Sequence, residues 1–168
     1  TPGAIDDVRG IVEYSNNIKM ENFPIVEIFK KYFPAERVYV ANDANAAALA
    51  ESLVGAAKGA KNSVMITLGT GVGGGIIINH RIYYGSNGAA GELGHTVIER
   101  NGRPCSCGRR GCWEAYSSAT ALIRMTKEAV EECKKTGRYT SMLKAERISG
   151  RTACDAMRAG DEVGTEVY

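Results

Sequence analysis

No apolar run in this chain approaches the ~20 residues that a membrane-spanning helix needs, and the N-terminal residues carry no signal-like pattern. Charge of one sign is also scarce: the formal net charge is +2, and no block of lysine and arginine is long enough to be an electrostatic footprint. Those two absences exclude a membrane span and leave no case for nucleic acid as a partner of this segment. Internal repeats and low-complexity tracts are missing as well. With 168 residues, 24% charged and 44% hydrophobic, the chain has the make-up of an ordinary globular protein with one good core or two short lobes. Only two histidines are present, and His80, at the end of an apolar run, has no evident partner.

The cysteines are unevenly placed. Three of the five, Cys105, Cys107 and Cys112, follow His95 within one short stretch. Three thiols and one imidazole are the donors a tetrahedral zinc prefers, and a four-ligand protein shell with no open position is structural. The alternative is a disulfide, but one residue between Cys105 and Cys107 strains their pairing and an odd count leaves a thiol over. Zinc is the favoured reading, and free thiolates imply a reducing, cytoplasmic setting. Cys133 and Cys154 lie apart and read as small core residues.

Glycine is abundant, 20 residues, and concentrated between Gly55 and Gly111, which marks that stretch as the site-bearing part. Arg37–Ala41 alternates around Val38 and Val40 as a short buried strand would. Asn42-Asp43-Ala44-Asn45 then opens an alanine-rich helix running toward Lys58, with Asp43 as its cap and Gly55 or Gly59 as its stop. Ser63–Leu68 and Gly75–Asn79 are β-branched runs joined by Gly69-Thr70-Gly71-Val72-Gly73-Gly74, a hairpin with a glycine tip. Few regular elements are expected from Gly85 to the cysteines. Ser118–Lys135 is helical by spacing and ends before Gly137, and Thr152–Ala159 forms a shorter helix stopped by Gly160.

The glycine pattern Gly69-x-Gly71-x-x-Gly74 matches a dinucleotide fingerprint formally, but a strand follows instead of a helix, and no Gly-Lys-Ser or Gly-Lys-Thr completes a P-loop. Alone it reads as a glycine-rich turn whose amides could approach a phosphate, with Thr70 as a hydroxyl donor. Alone, too, Asp43 reads as a cap sooner than as a general base at a strand's carboxyl end. Glu92 lies three residues before the metal-ligand candidate His95, and Glu114 two residues after the candidate Cys112. A closed metal site would hold their groups rigidly enough to read vicinal hydroxyls, although each Glu could equally be a solvated surface charge. Arg109 and Arg110 read as solvated loop residues sooner than as phosphate contacts.

Taken together, Asn42-Asp43-Ala44-Asn45-Ala46-Ala47-Ala48, Leu68-Gly69-Thr70-Gly71-Val72-Gly73-Gly74, Gly91-Glu92-Leu93-Gly94-His95 and Cys105-x-Cys107-Gly108-x-x-Gly111-Cys112-x-Glu114 resemble the ROK family of sugar kinases and repressors. Trp113–Ala121 looks most like that family's bacterial glucokinases. The resemblance implies an α/β fold of actin-like ATPase (ribonuclease H-like) lobes, partial here, with a zinc-stabilised loop. Residues 1–57 would end the first lobe and 58–168 begin the second. It implies ATP with Mg2+ and a hexose, glucose before others, as partners, with Zn2+ structural. Asp43 would take the proton of the sugar 6-hydroxyl. Asn42, Glu92, His95 and Glu114 would bind the sugar, and Asn17 would be a further contact. Gly69, Thr70 and Gly71 would cradle phosphate, and His95, Cys105, Cys107 and Cys112 would hold zinc.

An Asp-x-Gly-Gly-Thr motif and a later adenosine motif of the family are not found, and both chain ends look cut, so the expectation is an internal piece that is inactive alone, from a homo-oligomeric cytoplasmic parent. Alternatives are a kinase for N-acetylmannosamine, allose or fructose, and a sugar-responsive repressor with a DNA-binding module preceding Thr1.

Overall fold

The computed structural model describes residues 1–15 and 18–168; Asn17, anticipated as a sugar contact, lies outside them. The described residues cluster into two compact units, the first comprising Thr1–Thr67, Gly73–Thr96 and Ser106–Arg109 and the second Leu68–Val72, Val97–Cys105 and Arg110–Tyr168.

The first unit opens with an antiparallel sheet in the order β1 (Ala4–Asp6), β2 (Ile11–Ser15), β3 (Met20–Phe23). Ile11 and Val12 of β2 are buried, and the Val26 N–H of helix α1 (Ile25–Tyr32) donates to the Gly10 carbonyl at 3.1 Å. Helix α2 (Asp43–Val54) is capped by Asn42, not by Asp43: the Asn42 side chain accepts from the Asn45 N–H at 3.1 Å, and Asp43 is the first helical residue. The helix stops at Gly55, where the Ala56 N–H turns back to the Glu51 carboxylate at 2.7 Å, four residues short of Lys58 by its own end at Val54.

Arg37–Ala41 is not a strand, contrary to the alternation. Val38 and Val40 do face inward together and Tyr39 outward, 83% exposed, so the facing is right. A strand is defined by its ladder, however, and among the described residues the segment is held only at its end, where the Thr1 nitrogen donates to the Ala41 carbonyl at 3.0 Å and the Asp43 N–H to the Thr1 carbonyl at 3.1 Å.

The second sheet runs β4 (Ser63–Leu68), β5 (Val72–Ile78), β6 (Arg81–Ile82). β5 starts at Val72, earlier than Gly75, because Gly73, Gly74 and Gly75 are strand residues that let α2 and a neighbouring loop pack closely. A Cβ on Gly73 would lie 3.0 Å from that of Ala44, one on Gly75 would strike Ala48, and one on Gly74 would come 2.7 Å from Leu93. Half of the glycine pattern is therefore a packing device. His80 sits with Asn79 at the β5–β6 turn, both at positive φ (62° and 52°), the conformation of a two-residue type I′ hairpin.

The second unit is built on helices α4 (Ala119–Thr136), α5 (Thr152–Arg158) and α6 (Glu162–Val167), preceded by the one-turn α3 (Glu114–Ser117). Val130, Cys133, Met142, Ala153, Ala156 and Val163 make its core. Cys133 is a core residue as expected, while Cys154 is half-buried. α4 is capped by Ser118 accepting from Ala121 N–H at 3.0 Å and closed by Gly137 in the left-handed conformation (φ 73°). No helix among the described residues is long and apolar enough to cross a membrane.

Candidate functional site

In the first unit, Asn42 and Glu92 line one cavity, together with Asp7, Asn45, Tyr84 and Gly91. The cavity exists because three chain turns converge there. The cap of α2 fixes Asn42, whose Nδ2 donates to the Gly3 carbonyl at 3.0 Å. Gly91 lacks a Cβ where one would stand 3.1 Å from Asn45 Oδ1 and closer still to the Gly74 carbonyl. Asn45 Oδ1 is buried and has no hydrogen-bond partner among the described residues, an acceptor whose desolvation is uncompensated until a donor reaches it. Burial, and then the charge of Asp7, raise the Tyr84 phenol above its ordinary pKa, so it remains a hydroxyl donor at neutral pH. A cavity lined by two amides, carboxylates and a phenol suits a polyhydroxylated ligand.

Asp43 stands beside this cavity without lining it. Its carboxylate is exposed, and Oδ1 accepts the Ala44 N–H at 3.0 Å. Asp7 and Tyr84 escaped sequence reasoning because no local pattern marks them. Asn45 was noted beside Asp43 but not as a lining residue, and its place in the Asn-Asp-Ala-Asn turn was the available signal.

His95 ends a single 3-10 turn, Leu93–His95, which leaves its Nε2 3.9 Å from Glu92 Oε2. The donor atoms of His95, Cys105, Cys107 and Cys112 all lie within 4.8 Å of one another. Tetrahedral zinc with bonds of about 2.3 Å to sulfur spaces its ligands just under about 4 Å apart, so a single ion fits this group with little rearrangement. None of the five cysteines is in a disulfide. The connecting backbone is shaped by Gly111 (φ 78°), where a Cβ would strike the Glu99 carbonyl and whose N–H donates to the Arg103 carbonyl at 2.7 Å. The Tyr116 hydroxyl bonds the Glu99 carboxylate and receives the Arg103 N–H at 2.7 Å. Arg109 donates to the His95 carbonyl at 2.9 Å and is thus tied into the loop.

Gly69, Thr70 and Gly71 form the tip between β4 and β5, in the second unit. Glu114, at the start of α3, reaches this tip: its Oε2 accepts the Val72 N–H at 3.0 Å and occupies the space a side chain on Gly71 would need.

The fold is that of the actin-like ATPases, mixed α/β with a Cys3His group in a loop. The chain belongs to the ROK family, whose description matches residues 1–168. It is similar to a glucokinase of Halalkalibacterium halodurans, 47% identical over 80% of this chain and 41% of the relative. It is also similar to the xylose repressor of Bacillus spizizenii, 41% identical over 76% of this chain and 33% of the repressor. Among solved structures it resembles a ROK family glucokinase from Streptomyces griseus in complex with glucose and AMPPNP, with a TM-score of 0.81 and 36% identity over 98% of this chain and 54% of that one. The chain spans about half or less of the length of these relatives.

Proposed function

We propose that the protein phosphorylates the 6-hydroxyl of a hexose, glucose before others, with ATP and Mg2+. The observation that carries the reading is the convergence of Asn42 and Glu92 on one cavity, with an unpartnered Asn45 acceptor inside it and the exposed Asp43 carboxylate at its edge. Asp43 takes the proton of the attacking hydroxyl. Asn42, Glu92, His95 and Glu114 hold sugar hydroxyls. Gly69, Thr70 and Gly71 hold phosphate oxygens through backbone amides, and Mg2+ supplies charge neutralisation on the transferred group when bound. Zn2+ on His95, Cys105, Cys107 and Cys112 keeps His95 and its neighbours in place. The lobes divide near residue 57, and the whole protein works as a cytoplasmic homo-oligomer.

Similarity to a xylose repressor gives the second reading, a sugar sensor without turnover. Asp43 and the glycine tip favour the kinase, since a sensor needs neither a base nor a phosphate loop.

A coupled assay on the whole protein tests both. Wild type should turn over glucose with higher kcat/KM than N-acetylmannosamine or fructose. Asp43→Asn should bind glucose with Kd unchanged within a few-fold while kcat falls by about 10²–10⁴. Glucose binding with no turnover in wild type would establish the sensor, and near-normal kcat in the variant would reduce Asp43 to a helix residue. Higher kcat/KM for another sugar would reassign the substrate.

A further inference from the structure

Four consecutive amides define the glycine tip, and their hydrogen bonds differ in a way that singles out Thr120. The Gly69 N–H donates to the Gly71 carbonyl at 3.0 Å, and the Val72 N–H is taken by Glu114. Among the described residues the N–H groups of Thr70 and Gly71 donate to nothing. The carbonyls of the tip are anchored: that of Gly69 accepts the Ala119 N–H at 2.9 Å, and that of Thr70 accepts the Thr120 hydroxyl at 2.8 Å.

Among the described residues no peptide bond is cis, and in a trans planar peptide the C=O and N–H point in opposite directions. Anchoring the Gly69 carbonyl to the first turn of α4 therefore turns the Thr70 N–H away from that helix. Anchoring the Thr70 carbonyl does the same for the Gly71 N–H. Two successive amides presented to one side form an anion-binding concavity, and a Cβ on Gly69 would meet nothing within 4 Å, so the tip is open to an approaching group. Thr120 is exposed and α4 is already capped by Ser118, so its hydroxyl is not needed to begin the helix.

We infer that Thr120 is a positioning residue for nucleotide phosphate binding: its hydroxyl locks the Thr70 peptide so that the Gly71 N–H stays aimed at a phosphate oxygen. The inference rests on the reading of Gly69-Thr70-Gly71 as a phosphate loop. Without the bond the Thr70–Gly71 peptide can rotate, and part of the population presents a carbonyl oxygen to the anion.

Thr120→Val keeps the branched shape and removes the donor, whereas Thr120→Ser restores it. Titration calorimetry on the whole protein should find Mg·AMPPNP bound about 5-fold more weakly by Thr120→Val, as expected for one lost neutral hydrogen bond. Thr120→Ser should stay close to wild type, with the glucose Kd and the melting temperature unmoved in both. Wild-type affinity in Thr120→Val overturns the inference. So does a loss that accompanies a lowered melting temperature and is not rescued by serine, or a wild type that fails to bind Mg·AMPPNP at millimolar concentration. If AMPPNP binding and its dependence on Thr120 are found while no hexose is phosphorylated, the inference stands and the kinase reading falls.

Discussion

The segment from His95 to Cys112 and the helices from Ala119 to Val167 are held together by different physics. In the helical region Val130, Met142, Ala153 and Val163 are 6%, 2%, 0% and 3% exposed, and removal of apolar surface from water accounts for its order. The loop does the opposite: Val97 and Ile98 are 48% and 58% exposed, and its regular structure amounts to isolated bridges between Val97 and Cys112 and between Pro104 and Arg110. A stretch that buries so little cannot offset the entropy of ordering its backbone by packing. Its convergent donors would supply the missing term if a metal bonded them, and three thiols and an imidazole would then do there what three helices do elsewhere.

The largest effect expected from that contrast is loss of the metal. Reduced protein should carry about one zinc per chain by elemental analysis, and strong chelation or Cys112→Ser should disorder the loop while leaving the helical far-UV signal nearly intact. The single tryptophan, Trp113, follows Cys112 directly, so its emission should shift to longer wavelength as the loop opens. Zinc content near zero, or an unchanged Trp113 emission after complete chelation, would break the comparison. Met142→Ala is the converse. It should cost the helical region about 2–5 kcal/mol in denaturant unfolding, as a buried methionine truncated to a methyl, without changing zinc content or Trp113 emission of the folded protein.

The same contrast governs what the sequence disclosed. Cysteine spacing pointed to the donors that the fold gathers within 4.8 Å of one another, because a metal would ask for particular donors irrespective of the surrounding packing. α4 was legible within a residue at each end, since Ser118, the apolar spacing and Gly137 are all local signals. The glycine tip was legible as a tip, but Gly73 and Gly74 were assigned to it because sequence cannot show that Ala44 and Leu93 press on a strand there. Arg37–Ala41 misled for the related reason that a strand's partner is not in its own residues. Asn42 and Glu92 emerged from motif and resemblance. Asp7 and Tyr84 did not, because their approach to the cavity is a product of the fold. β1 to β3 passed unread: strands as short as Met20–Phe23, with Glu21 and Asn22 in the middle, lack any alternation to detect.

The smallest effect sharpens the comparison inside the packed region, where one polar group contributes alongside the apolar core. Asp161 caps α6 by accepting the Gly164 N–H at 3.0 Å, and it also accepts the Ser141 N–H at 2.6 Å, the Ser141 hydroxyl at 2.7 Å and the Thr140 hydroxyl at 3.0 Å. Burial alone would raise its carboxyl pKa, but these donors outweigh it and hold the pKa well below the ordinary range. A carboxylate whose folded pKa is depressed contributes stability that is complete above its unfolded value of about 3.9 and fades as pH falls through that value toward the folded one. Asp161→Asn keeps one acceptor and the helix-capping shape but gives up the charge and the second oxygen, so it should cost about 1–2 kcal/mol at neutral pH. The gap between wild type and variant should stay level from about pH 5 to 8 and narrow below about pH 4, the sign required by a depressed carboxylate. Urea unfolding of both proteins across that range measures it, and a gap that stays constant down to about pH 2.5 would show that the cap works through geometry alone and owes nothing to charge.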